Sequence, residues 1–157
     1  MKITLILNGK TEDDFIVKGF GVYEQRLKHY IAFETVVITA LKNTKAFSIE
    51  QQKQKEGDLI SKSIQSSDRV ILLDENGKEY NSVAFSEFIQ QQMNSGIKNL
   101  VFVVGGPYGF SEEIYKRANG KISLSKMTFS HQMVRLFFVE QIYRAMTILK
   151  NEPYHHS

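Results

Sequence analysis

The 157-residue chain has no cysteine. Disulfides, thiolate metal sites and any reaction that starts from a cysteine nucleophile are therefore excluded. Proline is almost absent, at two residues, and no long polar tract occurs, which argues against a disordered chain. No apolar run nears the roughly 20 residues that a membrane-spanning helix needs. The densest stretch, Leu136 to Val139, sits inside an amphipathic pattern. The opening MKITLILNG is too short for the apolar core of a signal peptide and lacks a cleavage site, so a cytoplasmic protein is expected. Histidine is sparse as well. His29, His131 and the pair His155–His156 show no ligand spacing beyond adjacency, so no metal is expected. Neither GxGxxG nor a Lys-Ser/Thr phosphate loop is present, which leaves a NAD or ATP site poorly supported.

A hydrophobic fraction of 42% with 24% charged residues is ordinary for a globular protein, and the length fits one domain with little room for a second. Charge is unevenly spread. Residues 1–110 carry 13 basic and 13 acidic side chains, whereas residues 111–157 carry 7 against 4 and so supply the whole net charge of +3. An anionic partner would meet this C-terminal third first, although drift alone also produces an imbalance of this size.

Strand and helix patterns alternate throughout. Lys2 to Asn8, Ala32 to Thr39, Asp68 to Asp74, Asn99 to Val104 and Lys121 to Ser125 read as strands. Asp14 to Tyr30, Ser48 to about Gln65, Ser82 to Ser95, Ser111 to Ala118 and His131 to Lys150 read as helices. Ser48 and Gln51 stand at capping-box spacing. Asn76-Gly77 reads as a turn. Gly19 and Gly21 would each weaken their helix by roughly 1 kcal/mol, which points to close packing there. The class is α/β with a mainly parallel sheet in a single domain.

Three segments stand out chemically. The strand ending at Val104 runs into Gly105-Gly106-Pro107-Tyr108-Gly109-Phe110. Ligands of open α/β sheets bind beyond such strand ends, yet on pattern alone a plain tight turn is the simpler account. Asp74 ends a second central strand near the same edge. Lys121 to His131 mixes hydroxyls with Leu124, Met127 and Phe129 in a way that suits wrapping a flat heterocycle; the plainer reading is a strand and turn with Ser130 as the helix cap. The last helix is apolar nearly all round, so it is buried in the core or against a second copy of the chain. On it, Glu140 and Arg144 are spaced to pair.

GGPYGF (105–110), LSKMTFSHQMVR (124–135), EQIYRA (140–145) and the terminal NEPYHH (151–156), taken in this order, resemble one family. It is the bacterial 23S rRNA pseudouridine N3-methyltransferases, the RlmH group of the SPOUT superfamily. The resemblance extends over essentially the whole chain, including LLDENGK (72–78). It implies a single-domain SPOUT-type α/β knot, with the cofactor-binding trefoil knot in about residues 70–157, and a homodimer. Periodicity would have argued against a knot, since true knots are rare. The resemblance further implies methyl transfer from S-adenosylmethionine (SAM) to N3 of a pseudouridine in 23S rRNA of the assembled ribosome. A SPOUT enzyme of tRNA and a non-catalytic ribosome-binding factor are the alternatives.

Carried onto this chain, the SAM pocket comprises Leu73, Gly105, Gly106, Leu124, Ser125, Lys126, Met127, Thr128 and Phe129. His155 and His156, with Tyr154 beside them, are the candidate catalytic groups, and His131 is a further one. Arg135, Arg144 and Lys126 are candidates for RNA phosphate. The lack of cysteine suits a methylase of a heteroatom rather than of carbon 5 of a uracil ring. One departure is that Gln132 follows His131 where the family commonly has a His-Pro-like pair.

Overall fold

A computed structural model of the chain describes residues 1–156. Five strands, β1 (Lys2–Asn8), β2 (Ala32–Ile38), β3 (Arg69–Glu79), β4 (Asn99–Val104) and β5 (Gly120–Ser123), form one sheet in the order β2-β1-β4-β3-β5. Every neighbouring pair is parallel. The helices are α1 (Asp14–Leu27), α2 (Ile49–Lys62), α3 (Ser82–Asn94), α4 (Glu112–Arg117) and α5 (Met133–Leu149). A short 3-10 turn at Thr44–Ala46, absent from the sequence reading, leads into α2.

The central strands are apolar on both faces, as parallel strands covered on both sides must be. Ile3, Leu5 and Leu7 of β1 join Leu100, Phe102 and Val104 of β4 against α1, α3 and α5. Ile6, Val70, Leu72, Val101 and Val103 face the other way, toward Ile60 of α2 and Ile114 of α4. Phe102 and Phe138 meet edge-on, 4.9 Å between ring centroids, at the centre of the larger layer. Both are fully buried, and each contributes about 1.5–3 kcal/mol through burial.

The helix ends follow local chemistry. Ser48 and Gln51 form the expected reciprocal capping box, and Asn81 and Ser111 cap α3 and α4 through their side chains. Helix α5 packs between α1 and α3. Gly19 makes the α1 contact possible, because a Cβ there would lie 3.0 Å from a Leu136 methyl. Nothing comes within 4 Å of the same point at Gly21, so the packing reading fails at that residue.

The expected Asn76-Gly77 turn is instead part of β3. Leu73 and Lys78 both register with Ile122 of β5, so residues 74–77 bulge out and the strand returns to the same partner. Gly77 is needed for closeness rather than for a hairpin: a Cβ there would sit 2.5 Å from the Ile122 carbonyl carbon and 2.6 Å from its nitrogen. Backbone cannot yield as a flexible side chain can. Gly77→Ala is expected to lower stability by about 2 kcal/mol or more through overpacking, read as a fall in the urea midpoint at unchanged slope.

Candidate functional site

The loops that leave β3, β4 and β5 converge at the carboxyl edge of the sheet, together with the first turn of α5. They enclose a cleft of about 380 Å³, within the size range of small-molecule sites. Leu73, Gly105, Gly106, Leu124, Ser125, Met127, Thr128 and Phe129 line it, and so does His131. Lys126 is exposed and does not line it.

The glycine turn is shaped by what lies behind it. A Cβ on Gly106 would stand 2.5 Å from Glu56 Oε2 and 2.9 Å from Asn8 Nδ2, and one on Gly105 would stand 2.9 Å from the Phe110 ring. Gly109 has φ +79°, which favours glycine, and its amide donates to the Gly106 carbonyl at 3.2 Å. The buried Glu56 accepts from Gln52 Nε2 at 3.1 Å. A tight turn is thus present, and it opens onto the cleft.

The loop after β5 is folded by its own hydroxyls. Ser123 Oγ donates to the Ser125 carbonyl at 2.9 Å, Ser125 Oγ accepts from the Met127 amide at 2.9 Å, and Ser130 Oγ accepts from the Met133 amide at 3.1 Å. Met127 remains 78% exposed, and Phe129 packs on Phe137 of α5 with ring centroids 5.1 Å apart.

At the mouth, Asp74 accepts from the Tyr115 hydroxyl at 2.5 Å and from the Asn76 amide at 2.8 Å. Tyr115 also meets Phe110 edge-on and lies under the Lys121 ammonium. Burial, followed by the bond to Asp74, pushes its phenol up to about 12. No sequence signal marks Tyr115, because its partner lies 41 residues away.

The C-terminal tail lies outside this lining, folded back against the middle and C-terminal half of α5. It is fastened down rather than frayed. Tyr154 packs edge-on against Tyr143 at 4.8 Å and donates to Glu140 Oε1 at 3.0 Å. Its one hydroxyl proton being spent there, Tyr23 is the donor in the 3.2 Å contact between the two phenols. Arg144 bridges to Glu140 at 2.6 Å, covers the Tyr154 ring at 4.7 Å, and places Nη1 3.4 Å from His155 Nδ1. Tyr30 donates to Glu152. Its contacts at Glu140 and Arg144 stand six and ten residues beyond Val134 of the cleft, roughly 9 and 15 Å along the helix axis.

Arg135 requires a correction. As a candidate for RNA phosphate it should be accessible, but it is 2% exposed and its nitrogens donate to the carbonyls of Asn8, Gly9 and His131 and to Thr11 Oγ1. It is structural. Arg144 remains half-buried and is shared with Glu140, so of the three candidates only Lys126 is freely exposed. Among the described residues no helix is long and apolar enough to cross a membrane.

A cleft at the carboxyl edge of a parallel sheet is where the sequence resemblance led one to expect the cofactor, and comparison with known proteins bears on the family. A family model described as "Predicted SPOUT methyltransferase" matches residues 1–155, and the chain belongs to that family. Among its relatives is the "Ribosomal RNA large subunit methyltransferase H" of Christiangramia forsetii, 62% identical over 156 residues and covering 99% of each chain. Proteins of the same name from Parabacteroides distasonis and Flavobacterium johnsoniae are 60% and 59% identical at the same coverage.

The Asp74–Tyr115 bond gives a pH test. The folded phenol holds its proton to about 12, whereas an unfolded one loses it near the ordinary 10.0. The bond's contribution to stability is therefore complete below pH 10 and disappears as pH rises toward 12. The Cζ resonance of Tyr115 should titrate near the higher value, and Asp74→Asn should lower it. A wild-type midpoint close to 10 would contradict the bond.

Proposed function

We propose that this methyltransferase uses SAM to methylate N3 of a pseudouridine in 23S ribosomal RNA, acting on the assembled ribosome. The observation that carries the reading is the convergence of Leu73, the glycine turn, Leu124, Ser125 and residues 127–129 on one cleft, in a chain with relatives named ribosomal RNA large subunit methyltransferase H. The lining fits SAM. Leu73, Val104, Ile122, Leu124 and Val134 offer apolar walls for an adenine, and the glycines let backbone amides and carbonyls approach its edges. Asp74 stands at the mouth as a hydrogen-bond acceptor for ribose hydroxyls. On this reading the cofactor-binding knot spans about residues 70–157 of a single domain.

Bound there, SAM supplies a methyl group already activated by its sulfonium, so no metal is required. The protein has to hold the acceptor nitrogen in line and ease the loss of its proton, because a neutral imide is a poor nucleophile. Acid–base assistance of this kind contributes about two to four orders of magnitude in rate. His155, His156 and Tyr154 are the groups we assign to this task, with His131 at the cleft itself as a further one. The tail's own contacts, to Glu140, Arg144 and Tyr23, hold it away from the cleft of its own chain, and this favours a homodimer in which the tail of one copy serves the cleft of the other. Exposed apolar side chains on α1 and α5, Phe15 at 63% and Phe137 at 42%, give that dimer a surface to bury. Lys126 and Arg144 contact RNA phosphate. The reaction takes place in the cytoplasm, where assembled ribosomes are found.

Incubation with methyl-labelled SAM and ribosomes lacking the modification, followed by mass spectrometry of the RNA, tests the reading. Label on N3 of a large-subunit pseudouridine is expected. Label on tRNA alone would move the substrate, and SAM binding with no transfer would point to a ribosome-binding factor. Removal of residues 153–157 is expected to abolish turnover while SAM affinity, measured by calorimetry, changes less than about threefold. Full activity of the truncated chain would overturn the role of the tail.

A further inference from the structure

The tail contains a geometric constraint on its own chemistry. The Arg144 guanidinium carries only N–H donors and has no acceptor. Its charge is secured by the bond to Glu140, which raises its pKa. Its Nη1 lies 3.4 Å from His155 Nδ1, so this ring nitrogen can take part only as an acceptor with its lone pair. A proton on Nδ1 would set two donors against each other, and a doubly protonated ring would place two cations in contact. The proton of His155 therefore belongs on Nε2. The residues on either side of this contact are themselves held in place. Tyr154, its chain neighbour, is pinned by Glu140, Tyr23 and Tyr143, and the Arg144 that faces His155 also covers the Tyr154 ring.

We propose that Arg144 is a positioning residue that fixes His155 in the Nε2–H tautomer, so that His155 acts on the substrate as a hydrogen-bond donor and not as the base. The inference rests on the assignment of the tail to N3 methylation made above. In that reaction the N3–H bond breaks, its proton passes to solvent water, and its electron pair stays on the imide, spread over the two carbonyl oxygens that flank N3. A donor aimed at one of those oxygens stabilises the charge where it develops, and its removal typically costs about two to three orders of magnitude in rate. His155 keeps its own proton throughout. The same neutral ring with Nε2 protonated has no free lone pair on its outward nitrogen with which to accept the N3 proton.

Two measurements test this. Long-range proton–nitrogen NMR of the full-length, nitrogen-labelled protein reads the tautomer without any substrate. The expected spectrum shows His155 Nδ1 as unprotonated and Nε2 as protonated, with a shift toward a tautomer mixture in Arg144→Met. A protonated Nδ1 in the wild type would overturn the proposal. The second measurement compares His155→Gln with His155→Ala on ribosomes. His155 is partly exposed near the end of the chain, and a glutamine amide can donate from about the Nε2 position yet cannot act as a base. The alanine variant should lose about 100-fold in kcat, with the glutamine variant within about tenfold of wild type. Equal loss in the two variants, or no loss in alanine, would overturn the donor role. If wild-type protein methylates no ribosomes at all, the functional assignment fails while the tautomer result stands by itself.

Discussion

The Arg135 guanidinium is buried, makes no salt bridge among the described residues, and still carries four hydrogen bonds of 2.8–3.0 Å. Removing a cation from water costs several kcal/mol, and the lowered pKa of Arg135, caused first by burial, expresses that cost. Charge-assisted bonds to fixed carbonyls offset it. Two of these carbonyls, of Asn8 and Gly9, lie where the central strand β1 ends. A third, of His131, lies where the cleft loop becomes α5. The guanidinium thereby ties the α5 side of the site to the end of β1 in the sheet. Gln132 adds to the tie, accepting from the Glu12 amide at 2.8 Å and donating to the Lys10 carbonyl at 3.3 Å. A proline at this position, as the family's His-Pro-like pair would supply, has no side-chain group for either bond. The departure at Gln132 thus has a local structural effect, a firmer attachment of the β1–α1 loop.

The same residue shows why some of the site was hidden in the sequence. An arginine on a largely apolar helix reads equally well as a phosphate contact and as a buried clamp. What decides between them is the set of carbonyls more than 120 residues away that close around it. Tyr115 and Glu56 were missed for a related reason. Each meets its partner across the fold, Asp74 in one case and the glycine turn in the other, and neither contact leaves a periodic trace.

The fold was more open to reading because its signals are local. An apolar run bounded by charge gave β3, a buried run stopped by glycines gave β4, and a hydroxyl cap at capping-box spacing gave α2. Strand order could not be obtained in this way, and neither could the return of β3 to Ile122, because Asn-Gly signals a turn and says nothing about which backbone it passes. The cleft loops were legible only as a set. Taken singly, the glycine turn and the Ser-rich loop have plain structural explanations, and the structure bears those out: the turn closes on itself and the hydroxyls bond within the loop. Their order along the chain carried the information.

Helix α5 connects these points. Its N-terminal turn lines the cleft and its C-terminal end holds the tail, with the buried strip of Phe138, Val139, Ile142, Ala145 and Met146 fixing it against the sheet between them. The tail folds back over the C-terminal half of this helix and is fixed there, roughly two to three turns from the cleft. The tail also makes contacts that favour staying where it is: Tyr154 with Tyr23, Tyr143 and Glu140, and Glu152 with Tyr30. On the role proposed above, a tail that reached the cleft of its own chain would have to break all of these. A second copy of the chain, presenting its cleft to an already ordered tail, leaves them in place. Under that proposal the order in the tail is preorganisation for a site that two chains complete.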